Sequence, residues 1–401
     1  MKILIHDYAG HPFQASLSRE LARRGHHVVH AFFHGDKGPK GDFRSRSSDG
    51  NLRFSALRIA SPYDKASLIR RRFGDVAYGK IAAELIAAEK PDLVLSGNTP
   101  TEAQSFIVRA CKENASAFVY WVQDFYSVAV SAILERKLGP VGAAIGAYYR
   151  MLEKAQMRSA DAIVTITKDF EDLSMRWGGG NDKVTTIENW GLVQDISPVP
   201  KENAWASQLG LTTTFNYVYS GTLGFKHNPM LLVELARAMR ARAQVVVVSE
   251  GVGVDVVRRH KEAESLDNLM IVPLQPFERL ESVLGTADVA IAIIEPDAGA
   301  FSVPSKVQSY LCAARPVLLA APGANLASKV LSRENAGLVV DPSDVAGFTR
   351  AAQWMFDNPE ARAKFGRNGR AYADLNFDIS LVTDRFMDVF SRAIQRRSSS
   401  F

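Results

Sequence analysis

The chain has 401 residues, of which 47% are hydrophobic, and a formal net charge of +5. One hydrophobic core rarely serves so long a chain, so two domains are expected. The apolar runs are shorter than the roughly 20 residues that cross a bilayer, and no cleavable apolar leader follows Met1, so a cytoplasmic protein is predicted. The two cysteines, Cys111 and Cys312, lie in alanine-rich segments and are expected to be reduced and buried.

The first half of the chain alternates predicted strands and helices. Residues 2–6 form an apolar strand, residues 8–13 form a loop, and leucines at helical spacing follow over residues 14–24. Further strands are predicted at 27–33, 92–96, 117–122 and 162–167, and helices at 79–88, 102–113 and 143–158. Such alternation is typical of a parallel, doubly wound sheet.

The pattern lapses over residues 189–205, where prolines and a glycine interrupt it, and then restarts. Strands are predicted at 217–219, 245–248, 270–272, 289–294, 317–320 and 337–340, with a helix at 229–241 and others between the later strands. We therefore predict an α/β fold with two domains, over residues 1–195 and 206–375. A C-terminal helix over 376–401 is expected to return to the first domain, with a frayed tail from Arg396.

The loop after the first strand is a candidate ligand site, because open α/β sheets bind ligands beyond the carboxyl ends of their strands. Gly10 allows the backbone to approach a phosphate at the N-terminus of the next helix. A single glycine is explained equally well by an ordinary turn, and His11 is either functional or simply solvent-facing.

The loop over residues 220–226 reads SGTLGFK and precedes a helix. Its glycines, the positive end of the helix and the ammonium of Lys226 together suit a diphosphate. The spacing matches neither a P-loop nor a dinucleotide-binding motif, and a plain turn is the alternative.

Residues 298–316, AGAFSVPSKVQSYLCAARP, follow another apolar strand and combine several polar groups. Ser302 and Ser305 offer hydroxyls, and Lys306 adds a positive charge. A helix is predicted to start near Ser305 with its N-terminus toward the ligand edge, so this serine either caps the helix, contacts a ligand, or does both.

These segments resemble the retaining family 4 glycosyltransferases of the GT-B fold, in particular the bacterial branch that builds exopolysaccharide, capsule and O-antigen. The likeness spans nearly the whole chain and is carried by IENWG at 187–191, YSGTLGFKHNP at 219–229 and VPSKVQSYLCAARPV at 303–317. It implies two Rossmann-like domains on either side of a cleft. A nucleotide-sugar, linked to UDP or GDP, would bind there as substrate, with no cofactor and no metal.

The resemblance also implies roles for individual residues. Lys226 would stabilise the leaving diphosphate. Asp124, which follows the strand at 117–122, is the best acidic candidate near the acceptor, with a structural role as the alternative, and His11 would also bind there. Donor contacts are expected from Gly10, Gly221, Thr222, Lys226, Glu250, Gly251, Gln275, Ser302, Ser305 and Lys306.

The chain departs from the family pattern at two places. Many members carry two glutamates around the last helix, whereas the corresponding positions here are Phe301 and Ser309; many also carry a histidine where this chain has Gln123. Sugar contacts usually made by those carboxylates must therefore come from other groups, such as Ser302, Ser305 or a backbone amide.

The expected acceptor is a glycan or a polyprenyl-diphosphate-linked sugar at the inner face of the cell membrane. Residues 68–73, with Arg70, Arg71 and Arg72, could dock on anionic lipid, although a solvated helix face is the plainer interpretation. Two other functions stay open: a nucleotide-sugar 2-epimerase, and a nucleotide-binding module without catalysis. Nucleic-acid binding is not expected, because the basic residues are dispersed and no recognition motif accompanies them.

Overall fold

The computed structural model describes residues 1–35, 43–44, 49–60, 68–178, 180–224, 227–295 and 305–399. The chain divides into two compact units. Unit 1 comprises Met1–Asn189 and Ile379–Phe401, and unit 2 comprises Trp190–Asp378. In the described part of the chain, no helix combines the length and the apolar character needed to cross a membrane.

Unit 1 is built on a seven-stranded parallel sheet of order β3-β2-β1-β4-β5-β6-β7. Leu4 of the first strand pairs with Val29 on one side and with Val94 on the other, and all three side chains are buried. The strands are β1 (Lys2–Asp7), β2 (His27–Phe33), β3 (Leu52–Leu57), β4 (Leu93–Gly97), β5 (Ala117–Val122), β6 (Ala162–Thr165) and β7 (Val184–Thr186). Helices separate most of these strands, as parallel pairing requires.

The helices of unit 1 connect consecutive strands. They are α1 (Pro12–Arg23), α2 (Leu68–Glu89), α3 (Thr101–Glu113), α4 (Tyr126–Ser159) and α5 (Glu171–Gly178), with single 3₁₀ turns at Lys168–Phe170 and Asn181–Lys183. Pro12 begins α1, where a missing N–H costs nothing.

Helix α4 is a helical hairpin rather than one straight helix. Gly139 has φ of 56° and ψ of −132°, and Pro140 follows it, so the helix stops and restarts there. The two arms run antiparallel, since the Ser131 hydroxyl donates to the carbonyl of Gly146 at 3.0 Å and that of Ser127 donates to Glu153 at 2.5 Å. We call residues 126–159 the helical hairpin.

Unit 2 repeats the architecture with a six-stranded parallel sheet of order β10-β9-β8-β11-β12-β13. Its strands are β8 (Asn216–Ser220), β9 (Gln244–Val248), β10 (Leu269–Val272), β11 (Val289–Ile293), β12 (Val317–Ala320) and β13 (Gly337–Val340). Its helices are α6 (Ala204–Gln208), α7 (Met230–Ala238), α8 (Val252–Glu264), α9 (Leu280–Gly285), α10 (Ser305–Cys312), α11 (Leu326–Glu334), α12 (Val345–Asp357) and α13 (Pro359–Asn376), with a 3₁₀ turn at Phe277–Arg279.

The last helix, α14 (Ile379–Ser398), belongs to unit 1. Phe386 contacts Trp121 of β5 edge to face, with 5.0 Å between the ring centroids. The fraying expected from Arg396 is wrong: Arg396 donates to the Asp182 carboxylate at 2.7 Å and Arg397 donates to the Lys112 carbonyl at 3.1 Å, so the last turn is held.

The predictions that both cysteines are reduced and that both are buried are confirmed. Both cysteines are free and buried, and burial raises the pKa of Cys312 to about 12.

The strand order reverses between β1 and β4 in unit 1 and between β8 and β11 in unit 2. Ligands of doubly wound sheets bind at such a reversal, beyond the carboxyl ends of the strands.

Candidate functional site

In unit 2, two glycine-rich loops meet at the carboxyl ends of β8 and β9. Gly221 has φ of +127° and Gly251 has φ of +108°, conformations that side-chain-bearing residues rarely adopt. The amide of Leu223 donates to the Glu250 carbonyl at 2.8 Å, and the Ser249 hydroxyl donates to the Gly221 carbonyl at 2.7 Å. A Cβ added at Gly251 would lie 2.9 Å from the Leu223 carbonyl oxygen, so the two backbones can approach only because a glycine stands there.

Lys306, on the first turn of α10, reaches this pair of loops. Its Nζ donates to the hydroxyl of Tyr219 at 2.6 Å, lies 3.9 Å from the centroid of that ring, and is 3.5 Å from where a Cβ on Gly221 would stand. Burial lowers the pKa of Lys306 to about 7. Among the described residues no carboxylate pairs with this ammonium.

Two tyrosines hold the lysine and its helix in place. The Tyr219 hydroxyl donates to the carbonyl of Thr222 at 2.9 Å, which ties the end of β8 to the loop that follows it. The Tyr310 hydroxyl accepts from the Ser220 amide at 3.2 Å and donates to the Ile291 carbonyl at 3.1 Å, so α10 is anchored to both strands of the reversal. An anion beside Gly221 would meet backbone amides and an ammonium that no carboxylate of the described chain neutralises.

In unit 1, the corresponding reversal brings together the loops after β1 and β4. Gly10 has φ of 77°, and the amide of His11 donates to the buried carboxylate of Asp7. The His11 ring lies 3.3 Å from that carboxylate and 3.1 Å from the side-chain amide of Asn98. Burial alone would raise the pKa of Asp7, but the charge and hydrogen bonds of His11 outweigh it and lower that pKa.

Asp124 follows β5 in the same unit, beside a buried carboxyl. Gln123 and Asn189 exchange side-chain amide hydrogen bonds at 3.2 and 2.6 Å. Glu153, from the far arm of the helical hairpin, accepts from the Ser127 amide at 3.1 Å and from the Tyr120 hydroxyl at 3.2 Å. Burial raises the pKa of Glu153 to about 7, and the charge of Asp124 adds to that shift against the hydrogen bonds of Ser127.

The structure brings together part of the predicted donor group. Along one edge of the sheet of unit 2 lie Gly221, Thr222, Glu250, Gly251 and Lys306. Gly10 belongs to unit 1 instead, next to His11. Gln275 follows β10, where its amide donates to the Pro273 carbonyl at 2.9 Å.

Other predicted residues are placed differently or lie outside the residues that the structure describes. Ser305 is exposed and is the first described residue of α10, so its capping role stays a prediction. Lys226 and Ser302 lie outside the described residues, as does Phe301. Tyr219, Asn98 and Glu153 were not singled out from the sequence; the signal for Asn98 was its place directly after a strand, in the segment SGN.

A metal centre is not evident in the described parts of either unit. No group of three or more histidine, cysteine, aspartate or glutamate side chains is arranged there to hold an ion.

Known proteins resemble this chain in both sequence and fold. Residues 10–190 match the family described as glycosyl transferase 4-like domain. The probable glycosyltransferase WbjE of Pseudomonas aeruginosa is 24% identical over 275 residues, and the match spans 66% of this chain and 66% of WbjE.

Two solved structures extend the likeness to nearly the full chain. Anabaena Alr3699/HepE, solved in complex with UDP and glucose, gives a TM-score of 0.73 at 14% identity, covering 98% of this chain and 99% of HepE. Sucrose-phosphate synthase from Thermosynechococcus elongatus gives 0.76 at 16% identity, with 98% of each chain covered. The predicted fold is confirmed: the chain has the GT-B fold of these solved structures, and its residues 10–190 are similar to the glycosyl transferase 4-like domain.

Proposed function

We propose that the protein transfers a sugar, with retention, from a nucleotide-sugar to a glycan or polyprenyl-diphosphate-linked sugar in the synthesis of a bacterial surface polysaccharide. One observation carries the proposal. The ammonium of Lys306 stands beside Gly221 without a partner carboxylate among the described residues, held by Tyr219 at the strand reversal of unit 2. A partly buried positive charge of this kind is stabilised by an anionic ligand.

The diphosphate of the donor suits this position. As the bond between the sugar and the diphosphate breaks, negative charge grows on the leaving oxygen, and Lys306 together with the amides around Gly221 stabilises it. The acceptor hydroxyl forms the new bond on the same face of the sugar, and its proton passes to the departing diphosphate. Lys226, predicted from the sequence, would add a second charge, and no metal would be required.

Support for a nucleotide-sugar comes from the solved relatives as well. Alr3699/HepE was solved with UDP and with UDP-glucose. The fold shared with this protein supports a UDP-linked donor, and we propose a uridine nucleotide carrying a glucosyl group for this chain. The acceptor would bind in unit 1, where His11, Asp7 and Asn98 meet and Asp124 lies at the end of the next strand.

The site of action we propose is the inner face of the cell membrane. A lipid-linked acceptor is confined there, and the positive charge of the chain favours anionic lipid. Arg70, Arg71 and Arg72 stand on the first turns of α2, on the unit that would hold the acceptor.

The test is nucleotide binding by a charge-removing variant. Lys306→Met should weaken UDP binding by about tenfold to a hundredfold, the cost of removing a charged hydrogen bond to a phosphate. Since the pKa of Lys306 is about 7, the difference between wild type and variant should also shrink as pH rises above 7. Calorimetry with UDP, GDP, ADP and dTDP measures both effects, and Lys364→Met, an exposed lysine of α13, is the control.

Turnover separates the proposal from its rivals. With donor and a lipid-linked acceptor, a new glycosidic bond of the donor's anomeric configuration should form, which NMR of the product detects. Conversion of the donor to its 2-epimer without acceptor would instead identify an epimerase. Tight nucleotide binding without any turnover would identify a binding module.

A further inference from the structure

The helical hairpin exposes an apolar face that no described residue of unit 1 covers. Six of the twelve large hydrophobic side chains exposed in the described part of the chain lie on it: Ile133, Leu138, Val141, Ile145, Tyr148 and Met151, with exposed fractions of 47, 48, 64, 38, 40 and 64%. On the second arm they follow one another at intervals of three or four residues and so form one stripe of the helix. Contiguous exposed apolar surface of this kind marks an interaction site.

This face also lacks charged residues over a long stretch of sequence. Residues 138–149, LGPVGAAIGAYY, contain no lysine, arginine, aspartate or glutamate, although most of them are exposed. A solvated surface helix of that length would normally alternate apolar and charged residues. The partner of this face must therefore be apolar over several turns of helix.

Basic residues border the apolar face at both ends. Arg136 and Lys137 precede it, and Arg150, Lys154 and Arg158 follow it, against one exposed acid, Glu135. A shallow depression on the second arm combines three of these cations with apolar groups and is lined by Ala147, Arg150, Met151, Lys154, Ala155 and Arg158. Such a depression suits a phosphate group attached to an apolar chain.

The start of α2 extends the same surface. The guanidinium of Arg72 lies 6.0 Å from the ring centroid of Tyr148, and the neighbouring Phe73 is 73% exposed. Arg72, which also pairs with the Glu102 carboxylate at 3.3 Å, thus stands at the edge of the hairpin's apolar stripe. An uncharged stripe bordered by cations on two elements is complementary to a surface that is apolar inside and anionic outside.

We infer that the helical hairpin docks this protein on an anionic lipid bilayer, with its apolar stripe at the boundary of headgroups and acyl chains and its flanking cations on lipid phosphates. Its tip at Gly139 is about 20 Å from its base, given the rise per residue of a helix. The base begins two residues after Asp124, at the carboxyl end of β5. Docking by the hairpin would thus present this edge of unit 1 to a lipid-linked acceptor, a consequence that rests on the proposed function, whereas the docking itself does not.

Co-sedimentation of the full chain with vesicles tests the inference. The wild type should bind vesicles of phosphatidylcholine with about one third phosphatidylglycerol more strongly than phosphatidylcholine alone. The double substitution Val141→Asp/Met151→Asp should lower the partition coefficient about tenfold or more, because two charges then enter the apolar boundary. The matched control is Leu375→Asp/Leu381→Asp, which alters two exposed leucines of α13 and α14 and should bind like wild type.

The cations are tested separately. Arg136→Gln/Lys137→Gln should remove most of the preference for the anionic vesicles, while Lys364→Gln/Arg367→Gln, two exposed basic residues of α13, should keep it. The inference is overturned if wild type ignores both vesicles, if it binds both equally, or if the hairpin variant binds unchanged. Self-association of wild type that the hairpin variant loses, seen by light scattering, would assign the face to a second copy of the chain instead.

A fluorescent label at the tip of the hairpin tests docking without the aspartate substitutions, so the test does not depend on those variants being folded. Since Cys111 and Cys312 are buried, Val141→Cys can be labelled selectively with an environment-sensitive dye. Its emission should shift to the blue with anionic vesicles, whereas the same dye on Leu375→Cys should not respond. Because the vesicles carry neither donor nor acceptor, failure of docking and failure of sugar transfer are observed independently.

Discussion

Glu153 joins the two arms of the helical hairpin at its base. Its carboxyl accepts from the amide and hydroxyl of Ser127, at the start of the first arm, and from Tyr120 on β5. Burial raises the pKa of Glu153 to about 7, from an ordinary value of 4.5. The folded protein therefore holds a proton on this carboxyl over a pH range in which the unfolded chain has lost it.

This shift predicts how stability depends on pH. Since the folded pKa is raised, the stabilisation is fully present below pH 4.5 and declines as pH rises to about 7, by roughly 3 kcal/mol in total. Glu153→Gln should abolish that decline and be at least as stable as wild type at pH 8. Denaturant unfolding at a series of pH values measures it, and Glu135→Gln, exposed on the same hairpin, should follow the wild-type profile.

Two buried histidines of unit 1 make the folding stability depend on pH in the opposite direction. Burial lowers the pKa of His6 and of His30 to about 4, so their contribution is complete above pH 6.5 and is lost as pH falls toward 4. The wild-type profile is therefore a sum of opposing slopes. Only the difference between wild type and Glu153→Gln isolates the glutamate; parallel profiles would contradict the assigned role.

Individual site residues were predictable where a loop follows a strand. Gly221 and Gly251 stand at such places, and the structure brings Lys306, on the first turn of α10, next to Gly221. Their contacts were not predictable, because the bond between Lys306 and Tyr219 joins residues 87 positions apart. Glu153 was missed for the same reason, since its partner Ser127 is in the other arm of the hairpin, 26 positions away.

At the scale of elements, strands with an apolar sequence were predicted best. The predicted bounds of β5 and β12 coincide with the observed ones, because both strands are apolar and buried on both faces. The strands β3 and β7, which are the two edges of the first sheet, were not predicted. Both have partly exposed side chains, so the contrast between apolar and polar positions is weak there.

The helical hairpin was predicted only in its second arm. In the sequence, Gly139 and Pro140 indicate the end of a helix and the start of a loop. The chain instead turns there and a second helix follows. Close packing of the arms depends on two more glycines: a Cβ on Gly142 would overlap the Leu134 carbonyl oxygen, and one on Gly146 would lie 2.9 Å from the Cα of Ser131. These glycines allow the backbones to touch.

The hairpin therefore predicts an unusual response to a helix-favouring substitution. In an exposed helix, replacing glycine by alanine stabilises by up to about 1 kcal/mol. For Gly142→Ala the arms must separate to admit the methyl group, and overpacking against backbone costs about 1–3 kcal/mol. Thermal unfolding should show a net loss, whereas Gly323→Ala, with no atom within 4 Å of the added carbon, should not; a stabilised Gly142→Ala would refute close packing of the arms.

At the scale of the whole molecule, the two units share one topology and differ in their chemistry. Each sheet reverses its strand order at the loops described, so both units place polar groups at equivalent edges. Unit 2 offers glycine backbones and a lysine, which suit a diphosphate, whereas unit 1 offers His11, Asp7 and Asp124, which suit hydroxyl groups. The repetition of the fold could be predicted from the sequence because strands and helices alternate in both halves. The difference in chemistry depends on which side chains each loop carries.

This division of labour predicts that binding and transfer can be separated by mutation. His11→Ala removes a ring that contacts Asp7 and Asn98 in unit 1 and leaves the loops of unit 2 untouched. UDP affinity should stay within about twofold of wild type, while kcat for transfer should fall about a hundredfold, the usual cost of a lost polar group at a reacting centre. Calorimetry and a transfer assay measure the two quantities, with His27→Ala, an exposed histidine at the amino end of β2, as the control. A proportional loss of both in His11→Ala would place the histidine in the donor site and contradict the division, because Lys306→Met is the variant expected to lose nucleotide affinity.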